Sequence, residues 1–149
     1  MIYAVFDTNV LLQAILSEGG PADGCVQLTF GEDVTMVTSD AVLDELKDVI
    51  SRPSLLAKYE ELRTERPHFL IQKIYSKAII VSSAPREFIL ERDRSDEIFV
   101  NLALKMHAEY LVSRDKDLLD LMDDSEFCSR FPDLQIVDPV DFLKALRAE

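Results

Sequence analysis

The sequence predicts an α/β protein built on a parallel sheet, and three observations carry that prediction. Five short runs rich in β-branched or aromatic residues recur along the 149 positions, and stretches of helical periodicity flank them. Strands so short and so flanked are expected to be buried on both faces, as parallel strands are. No repeat, low-complexity tract or linker divides the chain, so residues 1–149 read as a single domain long enough to bury a core.

The first strand is expected at 2–6 and stops at an acid in "YAVFDTNVLL", where a helical pattern over 10–16 starts at once. A second helical pattern at 22–30 leads to a strand at 34–38. Ser39 is a natural N-cap for the helix that follows at 39–50. Helical patterns follow at 54–62 and 69–77, and "RPSLLAKYEELRTERPHF", a polar stretch punctuated by proline at both ends, reads as a helical hairpin on the rim. The third strand is expected at 78–81. A helix over 96–107 is apolar on nearly every face between Ile98 and Met106, so burial on more than one side is expected. A strand at 110–113, a helix at 116–122, a strand at 135–137 and a helix at 140–147 complete the alternation.

Composition narrows the function. Cys25 and Cys128 have no second ligand at zinc spacing and are expected to be buried thiols, and His68 and His107 are isolated, expected at the surface or at helix ends. No apolar stretch approaches the roughly 18 residues of a membrane span, and no secretory signal is visible, so a cytoplasmic protein is expected. The net charge of −12, from 28 acids against 16 bases, is the opposite of bulk attraction to a phosphate backbone. Either nucleic acid is not the ligand, or binding is local and a divalent cation reverses the charge where it matters.

Ligands of open α/β sheets bind beyond the carboxyl ends of the strands, so the acids there are the candidates. Asp7 follows the first strand directly, where Asp7 or Asn9 could equally cap the next helix. Asn9 stands where phosphatases of the haloacid dehalogenase type carry a second aspartate. In "SDAVLDELKDVI", Asp44 and Asp48 point away from the apolar stripe of Val42, Leu46, Val49 and Ile50, and Glu45 lies on its border. In "ERDRSDEIFVNLALKMH", Asp96 shares the row of Phe99, Val100 and Ala103, Asp93 precedes the helix, and Glu97 sits a step further round. In "YLVSRDKDLLDL", Asp115 is nearer the strand end than Asp117, which reads as a cap or supporting acceptor. Carboxylates converging on one edge of a sheet repel one another unless a hard cation neutralises them. Oxygen-only ligation selects magnesium or manganese.

At this point the chain resembles the PIN-domain nucleases, above all their small prokaryotic branch that includes toxins of the VapC type. The residues that carry the resemblance are "FDTNVLLQAIL", "SDAVLDELKDVISRP", "RDRSDEIFVNLALKMHAEYLVSRDKDLL" and "IVDPVDFL". It implies a three-layer α/β/α fold whose five parallel strands run in the order 3-2-1-4-5. It also implies Asp7, Glu45, Asp96 and Asp115 as the catalytic, metal-binding set, with Thr8, Asn9 and Ser113 in support and Asp117 and Glu97 beside them. One departure stands out: Arg94 occupies the place of a proline common in relatives, which leaves Asp93 and Glu97 as alternatives to Asp96.

The implied activity is magnesium- or manganese-dependent cleavage of single-stranded RNA, with a homodimer and a small antitoxin partner. Products would carry a 5′ phosphate and a 3′ hydroxyl. Arg52, Arg92, Arg94, Arg114 and Lys116 lie beside the acidic motifs and are the expected RNA contacts. The alternatives are a catalytically inactive PIN domain that binds RNA or a protein, and a metal-dependent phosphatase of another α/β type. A receiver-type domain would need an acid pair near the first strand and a lysine just after the last, and this sequence shows neither.

Overall fold

Short apolar runs covered on both faces build one sheet of five parallel strands, Ile2–Phe6 (β1), Val34–Ser39 (β2), Ile79–Val81 (β3), Tyr110–Val112 (β4) and Gln135–Val137 (β5). Their order is β3-β2-β1-β4-β5, as expected. This computed structural model describes residues 1–147, and the last two positions of the expected 1–149 domain lie outside the described residues.

Parallel neighbours need crossover connections, and helices supply them. Thr8–Leu16 (α1) and Pro21–Leu28 (α2) join β1 to β2. Asp40–Ile50 (α3), Pro53–Lys58 (α4) and Arg66–Lys77 (α5) join β2 to β3, and Glu97–Lys105 (α6) precedes β4. Lys116–Leu119 (α7) and Ser125–Arg130 (α8) lie between β4 and β5, and Pro139–Arg147 (α9) follows. The strand order reverses at β1 and β4, so the crevice at their carboxyl ends is the topological switch point. Val5 of β1 stands between Val37 of β2 and Leu111 of β4 and is fully buried.

Element boundaries differ from the expectation where side chains act on the backbone. The helix α1 starts at Thr8 rather than residue 10, because the Asp7 carboxylate accepts from the Val10 amide at 2.8 Å and caps it. The stretch expected as one helix at 54–62 divides at the extended Tyr59 into α4 and a 3-10 turn, Glu60–Arg63. Leu56, Tyr59 and Leu62 recur every three residues, a spacing that both geometries satisfy. The expected helix at 116–122 likewise becomes α7 and a 3-10 turn, Asp120–Asp123. Helix α8 was not expected; Asp124 caps it by accepting from the Glu126 and Phe127 amides, and Phe127 anchors it in the core.

The chain leaves α6 through His107, which takes a positive φ of 52°. His68 and His107 are both exposed. Cys25 is buried, with its thiol donating to the Pro139 carbonyl, whereas Cys128 is only half-buried. Among the described residues, no helix is long and apolar enough to cross a membrane.

The buried apolar residues form one contiguous cluster. Phe142 of α9 is fully buried and meets Phe6 and Tyr110 edge-to-face, at centroid distances of 5.9 and 5.1 Å. Phe142→Ala should therefore lower unfolding free energy by about 3–5 kcal/mol in urea titrations. Phe69→Ala, at a side chain 72% exposed, should stay within about 0.5 kcal/mol.

Candidate functional site

The site is built outward from the ends of two neighbouring strands. Asp7 follows β1 and continues its ladder, donating its amide to the Val112 carbonyl at 3.2 Å. Its side chain is 3% exposed. One carboxylate oxygen accepts from the Val10 amide, and the other accepts from the hydroxyl of Ser113, which is itself fully buried one residue past β4. The Ser113 hydroxyl also accepts from the Asp115 amide at 2.9 Å. A single serine thus ties Asp7 to the segment that carries Asp115. Asp115 in turn caps α7 by accepting from the Asp117 amide at 2.8 Å.

Ser39 caps α3, accepting from the Val42 amide at 3.2 Å, and so sets the helical phase. That phase puts Asp44 and Asp48 out in solvent, paired with Lys47 at 3.7 Å and Arg52 at 3.0 Å. Glu45 turns to the acidic crevice and accepts from the Thr8 hydroxyl at 3.0 Å. A pocket of about 190 Å³ results, lined by Asp7, Thr8, Asn9, Glu45 and Asp115 from these elements, by Asp93, Ser95 and Asp96 from the approach to α6, and by Phe99 from its first turn.

Asp93, Asp96 and Asp115 each place a carboxylate oxygen within 4.8 Å of the other two. Asp93, an alternative to Asp96 in the sequence, is instead its neighbour. It accepts from both the amide and the hydroxyl of Ser95, at 3.0 and 2.5 Å, which hold its carboxyl below the usual range. Asp96 precedes α6 without capping it, and its Oδ2 is buried with no hydrogen-bond partner. Burial, then the hydrogen bond and charge of Asp115, push Asp96 up to about 8. Burial raises Asp7 as well, against the lowering effect of Ser113 and Val10. An all-oxygen donor set with an orphaned buried carboxylate oxygen fits a hard divalent cation.

The structure brings Asp7, Glu45, Asp96 and Asp115 to one pocket together with Thr8 and Asn9, and keeps Ser113 directly behind it. Glu97 faces the other way: it pairs with Arg86 and accepts from the Leu90 amide at 3.0 Å. Asp117 pairs with Arg92 at 2.6 Å, and Arg92 also reaches Asp120 at 3.1 Å. Arg94, Arg114 and Lys116 are exposed and form no ion pair among the described residues. Ser95 and Phe99 line the pocket beside the residues expected from the sequence. The signal for Asp93 was present in the spacing, since a turn or helix start brings positions three apart to the same side.

A family model described as a PIN domain matches residues 3–117. The chain is similar to the uncharacterised protein MJ1680 of Methanocaldococcus jannaschii, at 29% identity over 126 residues covering 85% of this chain and 79% of that protein. Its fold is similar to that of PAE2754 from Pyrobaculum aerophilum, with a TM-score of 0.59 and 15% identity, covering 100% of this chain and 91% of the other. It is also similar to VapBC2 from Rickettsia felis, solved bound to a DNA fragment from its promoter. There the TM-score is 0.56 and the identity 16%, over 92% of this chain and 98% of the other. At such identities the two structures share the fold alone.

The raised Asp96 gives a signed pH dependence. Between its ordinary value of 3.8 and about 8, the native state holds a proton that the unfolded chain has released. The stability this group contributes is present at low pH and is lost as pH rises towards 8. In EDTA, the melting temperature of Asp96→Asn should exceed that of wild type by a margin that grows from about pH 5 to about pH 9. A margin independent of pH would reject the assignment.

Proposed function

This chain belongs to the PIN-domain family, and from that premise we propose that it is a metal-dependent endoribonuclease hydrolysing phosphodiester bonds of single-stranded RNA. The same reading makes it the toxin of a toxin–antitoxin pair, acting in the cytoplasm as a homodimer with a small antitoxin partner. What supports it most is the convergence of Asp7, Glu45, Asp93, Asp96 and Asp115 on one polar pocket at the switch point of the sheet. The likeness of the fold to VapBC2 supports the antitoxin part.

In this reading Asp7, Glu45, Asp96 and Asp115 would hold the cation, with Asp93 beside Asp96 and Asp115 in the same pocket. Magnesium or manganese at such a site acidifies water and offsets charge on the scissile phosphate. Ser113 and the Val10 amide hold both oxygens of Asp7 in place, and the Thr8 hydroxyl orients Glu45. Arg94, Arg114 and Lys116 draw in the phosphate backbone at the rim, while Arg52 and Arg92 are already engaged by Asp48 and by Asp117 and Asp120. Water adds its oxygen to phosphorus and the bond to the 3′ oxygen breaks. That oxygen takes up a proton, leaving a 3′ hydroxyl and a 5′ phosphate.

Thermal unfolding after EDTA treatment, then with manganese added, is the direct test, because a ligand that binds only the native state raises the melting temperature. Wild type should gain stability and cleave single-stranded RNA. Asp7→Asn should lose the manganese shift and more than about 100-fold in cleavage, beyond the roughly 10–100-fold lost when only a supporting group around a metal is removed. Its metal-free stability should be unchanged or higher. Glu45→Gln should impair cleavage while Asp44→Asn leaves it intact. RNA retained but uncut in manganese, whatever residue stands at position 7, would establish the inactive module. Release of phosphate from small phosphoesters would establish the phosphatase.

A further inference from the structure

Residues 82–96 form a long connection without regular structure between β3 and α6, and it delivers Asp93 and Ser95 to the acidic pocket. Connections of that length are uncommon in compact domains and need something to hold them. Here α8 holds it at one point, with Arg130 donating to the Glu87 carbonyl at 3.2 Å and Phe88 meeting Phe127 and Phe131 edge-to-face, and α6 holds it along its length. Glu97, Asn101 and Lys105 recur every fourth residue of α6, so they form a single seam along it. Each grips a successive piece of the connection. Glu97, only 6% exposed, pairs with Arg86 and accepts from the Leu90 amide. Asn101, equally buried, accepts from the Glu87 and Phe88 amides at 3.1 and 2.7 Å and donates to the Phe88 carbonyl at 2.9 Å. Lys105 donates to the Ser83 carbonyl at 2.5 Å. Leu90 is buried, three residues before Asp93.

We propose that Glu97 and Asn101 are positioning residues, which fix the connection against α6 and thereby hold Asp93 beside Asp96 and Asp115. The role of this seam in metal binding rests on the nuclease reading above; its role in ordering Asp93 does not. Asn101 makes three side-chain hydrogen bonds to two adjacent residues, 87 and 88, which then cannot slide along the helix. Glu97 fixes the chain again at Leu90, leaving only Glu91 and Arg92 before Asp93. The seam therefore sets where Asp93 arrives, while Ser95 sets how its carboxylate points.

The test is backbone amide relaxation in EDTA for wild type, Asn101→Ala and Ile74→Val, the last a buried substitution on α5 away from the seam. In wild type the amides of 93–96 should show order parameters of about 0.85, falling below about 0.6 in Asn101→Ala. Ile74→Val should lower the melting temperature without changing them. If Asn101→Ala does not fold, Arg86→Gln is read the same way, since the Arg86 side chain is 43% exposed. Order at 93–96 that survives loosening of 83–90 would overturn the proposal. Manganese titration by thermal shift then reads the consequence, a midpoint about tenfold higher in Asn101→Ala and unchanged in Ile74→Val. A wild type that shows no manganese shift would sink the nuclease reading alone, and the order parameters would still decide the seam.

Discussion

The buried carboxylate of Asp7 is the constraint on which the rest of the site depends. A lone ionised carboxylate taken out of water would cost several kcal/mol even after relaxation. Two fixed donors offset part of that, the Val10 amide from the helix Asp7 begins and the Ser113 hydroxyl from the strand next door. Each donor has a structural consequence. The first sets where α1 starts; the second joins β1 to β4 and, through the Asp115 amide, sets where the next acid sits. Burial still outweighs both donors, since the Asp7 carboxyl remains raised. The residual penalty is what a cation in the pocket would relieve under the proposed function.

Repulsion within the acidic trio makes the same point in magnitudes. Two unit charges 4.8 Å apart interact by roughly 3 kcal/mol at an effective dielectric constant of 20. Three such pairs approach the whole stability of a typical domain, about 5–15 kcal/mol. A fully ionised trio without counter-charge is therefore not a state this fold can carry lightly. Retaining a proton on Asp96 up to about pH 8 is one escape, and binding a cation is the other. The same reasoning reconciles a net charge of −12 with an RNA substrate, because screening confines the remote acids to roughly a Debye length of 8 Å. Charge at the pocket and at Arg94, Arg114 and Lys116 then decides what binds.

Much of this was legible in the residues, and what was not has physical causes. Strands reveal themselves by apolar runs and helix starts by their caps, so the places where Asp7, Glu45 and Asp115 sit could be read from "FDTN", "SDAVLDEL" and "SRDKD". The order of the strands could not, and came from the resemblance to PIN domains, which the sheet bears out. Helix α8 escaped because its six residues hold one buried apolar anchor, Phe127, too few to show a period. Asp93 and Glu97 were read together as stand-ins for Asp96, yet one joins it and the other turns away. Their roles depend on the path of residues 82–96, and irregular backbone has no periodicity to read. The spacing of Glu97, Asn101 and Lys105 was visible, but its partner was not.

That irregular path is itself dictated by the topology. β3 lies at one edge of the sheet, and β4 lies beyond β2 and β1. A short turn after β3 would leave the next helix over the edge, whereas α6 packs against β1, β2 and β4. The chain must therefore cross from β3 to α6 and run back along that helix, from Ser83 at Lys105 to Leu90 at Glu97, before it brings Asp93 and Asp96 to the ends of the central strands. Elsewhere the acids follow directly from strand ends or helix starts and inherit their rigidity. On this side the fold supplies length without order, and order has to come from side chains. A seam of three polar residues on the arriving helix supplies much of that order, and Arg130, Phe127 and Phe131 hold the same stretch at Glu87 and Phe88 from the other side.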